Sequence, residues 1–207
     1  MLVLDTDHQR PGSATLTRLQ PVQDSMSAIP SKKMTVDEFL TWSATQPGRY
    51  ELYGGVVYRM QSERARHAAM KFAAQKELER AIKRAKVKCH MLPDGMTVRI
   101  DDDTTHEPDA LVYCGKPVDG DAVEIANPVI VVEVLSPGTR HVDGSAKLAG
   151  YFRVPSIQHY LILDPNKPTA ILHSRQSDQT ILTRIATSGT FRLDPPGIEL
   201  EVDRLLN

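Results

Sequence analysis

Apolar residues recur at three- and four-residue steps over 64–86, RARHAAMKFAAQKELERAIKRAK, where Met70, Ala74, Leu78, Ala81, Ile82 and Ala85 line one stripe of an otherwise charged segment. That period predicts the longest helix of the chain, with its stripe turned to a core. A shorter helix is predicted at MTVDEFLTW, with Thr35 as N-cap, Glu38 as its capping-box mate, and Phe39, Leu40 and Trp42 on its apolar side. The breaker QPG follows it. The aromatic and β-branched segment RYELYGGVVYRM, centred on Gly54-Gly55, predicts a hairpin with Glu51 in its first arm.

Further on, KCHML and MTVRI read as strands around the turn PDG, and Asp101 to Asp103 as a solvated turn. Strands at PDALVYC and VIVVEVLS lead through the turn PGTRHVDG to a helix, SAKLAGYF, capped by Asp143. Strands HYLILD, AILHS and ILTRIA follow, and the chain ends in IELEVDRLL. A strand, helix, strand unit with strongly apolar strands predicts a mixed β-sheet flanked by helices, an α/β or α+β fold. Residues 1–33 are rich in Ser, Thr, Gln and Pro and show no period, so they read as a flexible or extended N-terminal arm ahead of one domain over 34–207.

One position breaks the pattern. In PVIVVEVLS, Val129, Val131, Glu133 and Leu135 share one face of the strand, so Glu133 points where its neighbours are apolar. An ionised carboxylate there needs a counter-charge or a metal. Asp109 opens the strand EPDALVYC, and if the two strands are neighbours their carboxylates converge near the strand ends. Two hard oxygen ligands at that separation suit Mg²⁺ or Mn²⁺. On the helix that follows, Lys147 and Tyr151 are four residues apart and share a face, with Leu148 and Phe152 on the adjacent apolar stripe. A lysine there can stabilise the charge developing in phosphoryl transfer or orient the nucleophile.

Each residue also has a plainer reading. Glu133 can be an ion-pair partner and Asp109 a turn residue after Pro108. Glu51 can be an exposed hairpin residue paired with Arg49 or Arg59, and Lys147 can bind Asp143 at helical spacing. His67, at the start of the long helix, reads as a capping or surface residue or as a secondary member of the pocket, because no second histidine stands at metal-ligand spacing. The basic run Arg80, Lys83, Arg84, Lys86 and Lys88 reads as a solvated face balanced by Glu77 and Glu79.

Composition narrows the classes. A chain of 207 residues with 41% hydrophobic content can bury one core. A net charge of −1 supplies no global basic field, so any nucleic-acid contact must come from a local patch. Cys89 and Cys114 fit no CxxC spacing, which predicts reduced, inert thiols and a cytoplasmic setting. No stretch approaches the roughly 18 apolar residues of a membrane helix, and MLVLDTDHQR does not read as a signal peptide.

Taken together, RYELYGGVVYRM, EPDALV and VIVVEVLSPGTRHVDGSAKLAGYFRVPSIQHYLILDP resemble, in order, the Uma-two family of restriction-endonuclease-like proteins, a branch of the PD-(D/E)XK nuclease superfamily. The resemblance spans about residues 34–207 and implies a restriction-endonuclease-like core. It implies catalytic roles for Asp109, Glu133, Lys147 and Glu51, metal ligation by Asp109, Glu133 and Glu51, and secondary roles for His67 and Tyr151. Two positions depart from the pattern. The lysine of the superfamily's Glu-x-Lys falls on Leu135, so Lys147 on the next helix takes its place, and His159 stands where related chains carry an acidic residue before the tyrosine of the closing strand. The expectation is a Mg²⁺- or Mn²⁺-dependent DNA endonuclease. A homodimer is expected because one site per chain cuts two strands most simply under two-fold symmetry. The alternatives are a catalytically idle DNA-binding module and a hydrolase of another phosphoester.

Overall fold

The computed structural model describes residues 27–28, 32–135 and 143–207. Helix α1, Val36–Ser43, starts at the predicted capping box, in which Thr35 Oγ1 accepts the Glu38 N–H at 3.3 Å and Glu38 Oε2 accepts the Thr35 N–H at 2.8 Å. It buries Val36 and Phe39 on Tyr50, Leu52 and Val57 of the predicted hairpin, β2 (Tyr50–Tyr53) and β3 (Val56–Arg59). Gly54 and Gly55 turn that hairpin with φ of 56° and 77°, a conformation that other residues adopt only with strain. Most of the arm predicted over 1–33 lies outside the described residues; within it, β1 (Ser27–Ala28) adds an antiparallel strand to β3.

Helix α2, Ala65–Ala85, ends where Lys86 takes the left-handed conformation, and it buries Met70, Ala74, Leu78, Ala81 and Ile82 of the predicted stripe but leaves Ala85, in its last turn, exposed. The strands after it are β4 (Cys89–Pro93), β5 (Val98–Arg99), β6 (Thr105–His106), β7 (Ala110–Cys114) and β8 (Pro128–Val134). Helix α3, Asp143–Tyr151, leads to β9 (His159–Asp164), β10 (Thr169–Arg175), β11 (Ile181–Ala186), β12 (Thr190–Leu193), β13 (Ile198–Glu201) and the short α4 (Val202–Leu205). The turn before α3 lies outside the described residues, as does the side chain of Asp143, its predicted cap.

Among the described residues, six strands form the central sheet in the order β11-β10-β9-β8-β7-β4, and its one parallel pair is β8–β9, bridged by α3. The mixed sheet flanked by helices is therefore as predicted. Alternation along β8 sorts the layers: Ile130, Val132 and Val134 pack with α2, β12, β13 and α4, whereas Val131 and Leu135 pack with Tyr151, Ile157 and Tyr160 on the α3 side. Each fully buried aliphatic side chain in these layers contributes about 1.5–3 kcal/mol. Because the layers meet at the end of β8, side chains from α2 and from α3 reach the same sheet edge.

Two expectations fail. KCHML and MTVRI do not pair around PDG, since β4 joins β7 in the central sheet while β5 pairs with β6. Cys89 and Cys114 are not free thiols: they stand opposite each other in the β4–β7 register and form a disulfide. Their spacing of 25 residues carries no sign of this, because cross-strand register decides it. The thiols therefore no longer argue for a reducing compartment. No helix among the described residues is long and apolar enough to cross a membrane.

Candidate active site

On the α3 side, three elements converge at the end of β8. Glu51 lies in the first arm of the hairpin and is 3% exposed, so it is not the solvent-facing residue its position also allowed. Its Oε1 accepts the backbone N–H of Glu107 at 3.0 Å and lies 3.3 Å from Lys147 Nζ. The same ammonium is 3.1 Å from Glu133 Oε1, which also accepts the Tyr151 hydroxyl at 2.6 Å. The four-residue step on α3 delivers both groups to one carboxylate. Lys147 thus pairs with two acids from distant parts of the chain.

The two carboxylates respond differently. Burial pushes Glu51 up, but Lys147 and the Glu107 N–H outweigh it and hold the group below the ordinary carboxylate range. Glu133 is pushed up to about 7, first by burial and then by the Asp109 and Glu51 carboxylates, against the pull of Lys147 and Tyr151. Tyr151 is fully buried and stays a phenol, raised by burial and by the Glu133 charge.

On the α2 side, Asp109 immediately precedes β7, and because Ala110 pairs with Val132 it stands beside Glu133 at the strand ends. Its Oδ2 accepts the Val134 N–H at 2.6 Å, and its Oδ1 lies 3.0 Å from Lys71 Nζ. Lys71 is buried within α2 and also binds Asp94 Oδ2 at 2.8 Å and Glu63 Oε1. Burial alone would lower its pKa, yet Asp109, Asp94 and Glu63 raise it well above the ordinary lysine value. His67, one turn before Lys71, donates from Nε2 to the Val134 carbonyl at 2.7 Å, and that ring nitrogen is 3.8 Å from Asp109 Oδ2. Its Nδ1 lies 3.4 Å from Glu63 Oε2.

All six residues named from the sequence therefore stand at one sheet edge. Glu51, Glu133, Lys147 and Tyr151 touch one another, while Asp109 and His67 belong to a neighbouring network. Lys147 is engaged by Glu51 and Glu133, partners that its helical spacing to Asp143 did not suggest. His159, the second departure, is buried away from this cluster, bonded to Ser174 Oγ and to the Pro195 carbonyl at 2.9 Å each. Sequence reasoning missed Lys71, Glu63, Asp94 and Arg49. The one signal within reach was the four-residue spacing of Glu63, just ahead of the long helix, with His67 and Lys71 in its N-terminal half.

Carboxylate oxygens are the ligand type that hard divalent cations take. Glu51, Glu133 and Asp109 offer such oxygens, and Glu133 is raised first by its burial and then by the Asp109 and Glu51 charges. Glu63, His67 and Asp109 also present ligand atoms within 4.8 Å of one another, beside the Lys71 ammonium.

A mixed sheet flanked by helices, with acids and lysines gathered at the end of its parallel strand pair, makes this an α+β fold. The chain belongs to the Uma2 family, described as "Putative restriction endonuclease", whose profile matches residues 36–204. It is 24% identical over 187 residues to "Uncharacterized protein slr1290" of Synechocystis sp. (strain ATCC 27184 / PCC 6803 / Kazusa), across 85% of this chain and 93% of that one. Its fold is similar to the crystal structure of "a putative nuclease belonging to DUF820" from Anabaena variabilis ATCC 29413. The TM-score is 0.65 at 16% identity, with 84% of this chain and 97% of that chain covered.

Proposed function

We propose that this protein is a Mg²⁺- or Mn²⁺-dependent endonuclease that hydrolyses phosphodiester bonds of DNA. The observation that carries the reading is the Lys147 ammonium held between Glu51 and Glu133 at the end of β8, with Glu133 pushed up to about 7. Family membership supports nuclease chemistry in general. Glu133, Glu51 and Asp109 would hold the cation, which when bound supplies an activated water and charge neutralisation at the phosphate.

The chain's own side chains have separable tasks. Tyr151 fixes the orientation of Glu133, and Lys71 with the Val134 N–H fixes Asp109. Lys147 lies where negative charge develops on an attacked phosphate and stabilises it. His67, through its bond to the Val134 carbonyl, keeps the end of β8 against α2. A duplex cut with one such site per chain is simplest in a symmetric dimer.

The test is cleavage of supercoiled plasmid and of short single- and double-stranded DNA in Mg²⁺, Mn²⁺ or EDTA, with Glu133→Ala and Lys147→Ala in parallel. Metal-dependent cleavage by the native chain that falls by about 100–1,000-fold in both variants is the expected result. Cleavage that persists in EDTA, or in Glu133→Ala at the native rate, would sink the assignment. Turnover of small phosphodiesters with DNA untouched would redirect it to another phosphoester, and metal-independent DNA binding without turnover to an idle module.

A further inference from the structure

The two halves of the cluster are joined through Lys71 and through Asp94, Arg49 and Glu107, to whose side chains the hydrolytic reading gives no task. Asp94, just beyond the end of β4, accepts on one oxygen, Oδ2, from Lys71 Nζ at 2.8 Å and from Arg49 Nη1 at 2.7 Å. Lys71 continues to Asp109 Oδ1 at 3.0 Å. Arg49 continues to Glu107 Oε2, through Nη2 at 2.8 Å and Nε at 3.2 Å, and the backbone N–H of Glu107 holds Glu51 at 3.0 Å. A path of ion pairs, closed by the backbone N–H of Glu107, thus runs from Asp109 to Glu51. Asp94 is its midpoint.

We infer that Asp94, through Lys71 and Arg49, is a positioning residue that sets the Asp109 and Glu51 carboxylates relative to each other, so that the two halves form one cation-binding cleft. The inference rests on the metal-dependent reading proposed above. Lys71 has three donors and three carboxylate partners, Glu63, Asp94 and Asp109. With Asp94 gone, the ammonium is drawn toward Glu63 and its hold on Asp109 loosens. Arg49 loses the partner that aims its fork, and the Glu107 segment supporting Glu51 relaxes. The side chain of Asp94 is 28% exposed, so its substitution removes a rim contact and leaves the packed layers intact. Groups that orient ligands in this way change metal affinity about 10–100-fold when removed.

The experiment uses the full chain as Asp94→Ala and as the isosteric Asp94→Asn, with two readouts. Amide hydrogen exchange follows the N–H groups of Val134, which donates to Asp109, and of Glu107, which donates to Glu51, against Leu161 in the core. Titration with Mn²⁺ alone follows the cleft. In Asp94→Ala both reporter amides should exchange about tenfold faster while Leu161 is unchanged, and Mn²⁺ should bind about tenfold more weakly, with Asp94→Asn intermediate. Acceleration at only one reporter, at neither, or equally at Leu161 would overturn the inference. A native chain that binds no Mn²⁺ would instead overturn the metal-dependent reading, and the amide pattern would still decide whether Asp94 positions both carboxylates.

Discussion

The α2 half and the α3 half of the cluster are built from the same residue types and balance their charge in opposite ways. Around Lys71, the carboxylates of Glu63 and Asp94 are held below their ordinary range because the ammonium, and for Asp94 also Arg49, outweigh burial. Around Lys147, one ammonium serves two deeply buried acids, and Glu133 is left at about 7. Among the described residues, Glu63 and Asp94 of the α2 half are thus held ionised by their cations, while in the α3 half burial wins at Glu133 and raises it. A frame should behave like the first and a cation-binding centre like the second. On the metal-dependent reading proposed above, Lys71 would be scaffolding and Glu133 and Lys147 would carry the chemistry, although both lysines stand beside strand-end carboxylates.

Activity and stability should separate along this line. The largest expected effect is the loss of cleavage, about 100–1,000-fold, in Glu133→Ala and Lys147→Ala, measured as initial rates on plasmid DNA. Next is Lys71→Ala, which takes the ammonium from three carboxylates, of which Asp94 keeps Arg49 and Asp109 keeps the Val134 N–H. The expected cost is about 3 kcal/mol by denaturant unfolding, the lower end for breaking a buried pair because Glu63 and Asp94 are partly exposed. Lys147→Ala should cost only about 1–2 kcal/mol, since Glu133 can take up a proton in place of its lost partner. If the two lysines cost the same, the contrast between the halves is wrong.

The third expectation concerns pH. A folded value of about 7 for Glu133, above the ordinary 4.5, means that its contribution to stability is fully present below the unfolded value and is lost as pH rises through about 7. A cation needs the ionised form, so Mn²⁺ binding runs the opposite way. Each unit below about 7 should weaken the apparent affinity by about tenfold for one displaced proton. Glu133→Gln mimics the protonated acid. It should abolish this slope in calorimetric titrations and leave the metal-free protein at least as stable as the native chain at pH 8.

Much of the α3 half was legible in the sequence because short-range periodicity builds it. Alternation along β8 aims Glu133, a four-residue step aligns Lys147 with Tyr151, and the Gly54-Gly55 turn locates Glu51 in a strand. The α2 half was less so. Lys71 follows Met70 in a charged helix and looks like any solvated lysine until β4 and β7 bring Asp94 and Asp109 against it. Partners 23 and 38 positions away leave no periodic trace, since 94 − 71 = 23 and 109 − 71 = 38. The cystine was hidden for the same reason, and β12 was missed because its short, half-exposed pattern resembles a loop.

The smallest expected effect is the sharpest test of the comparison. Tyr151 is fully buried and donates to Glu133 at 2.6 Å, so its hydroxyl favours the ionised form of that acid. Tyr151→Phe removes one buried hydrogen bond with almost no change in shape and should cost about 1 kcal/mol of stability. The same energy, read as proton affinity, moves Glu133 further above 7 and should lower cleavage at pH 7 by about threefold. Raising the pH should restore the rate, because the ligand is ionised again and only its orienting partner is missing. No such rescue is expected for Lys71→Ala, whose deficit is the loss of an ion-pair partner and not of an ionised ligand. A Tyr151→Phe deficit that persists unchanged at pH 9 would mean that the phenol acts by packing alone, and that the proton-sensitive half of the cleft lies elsewhere.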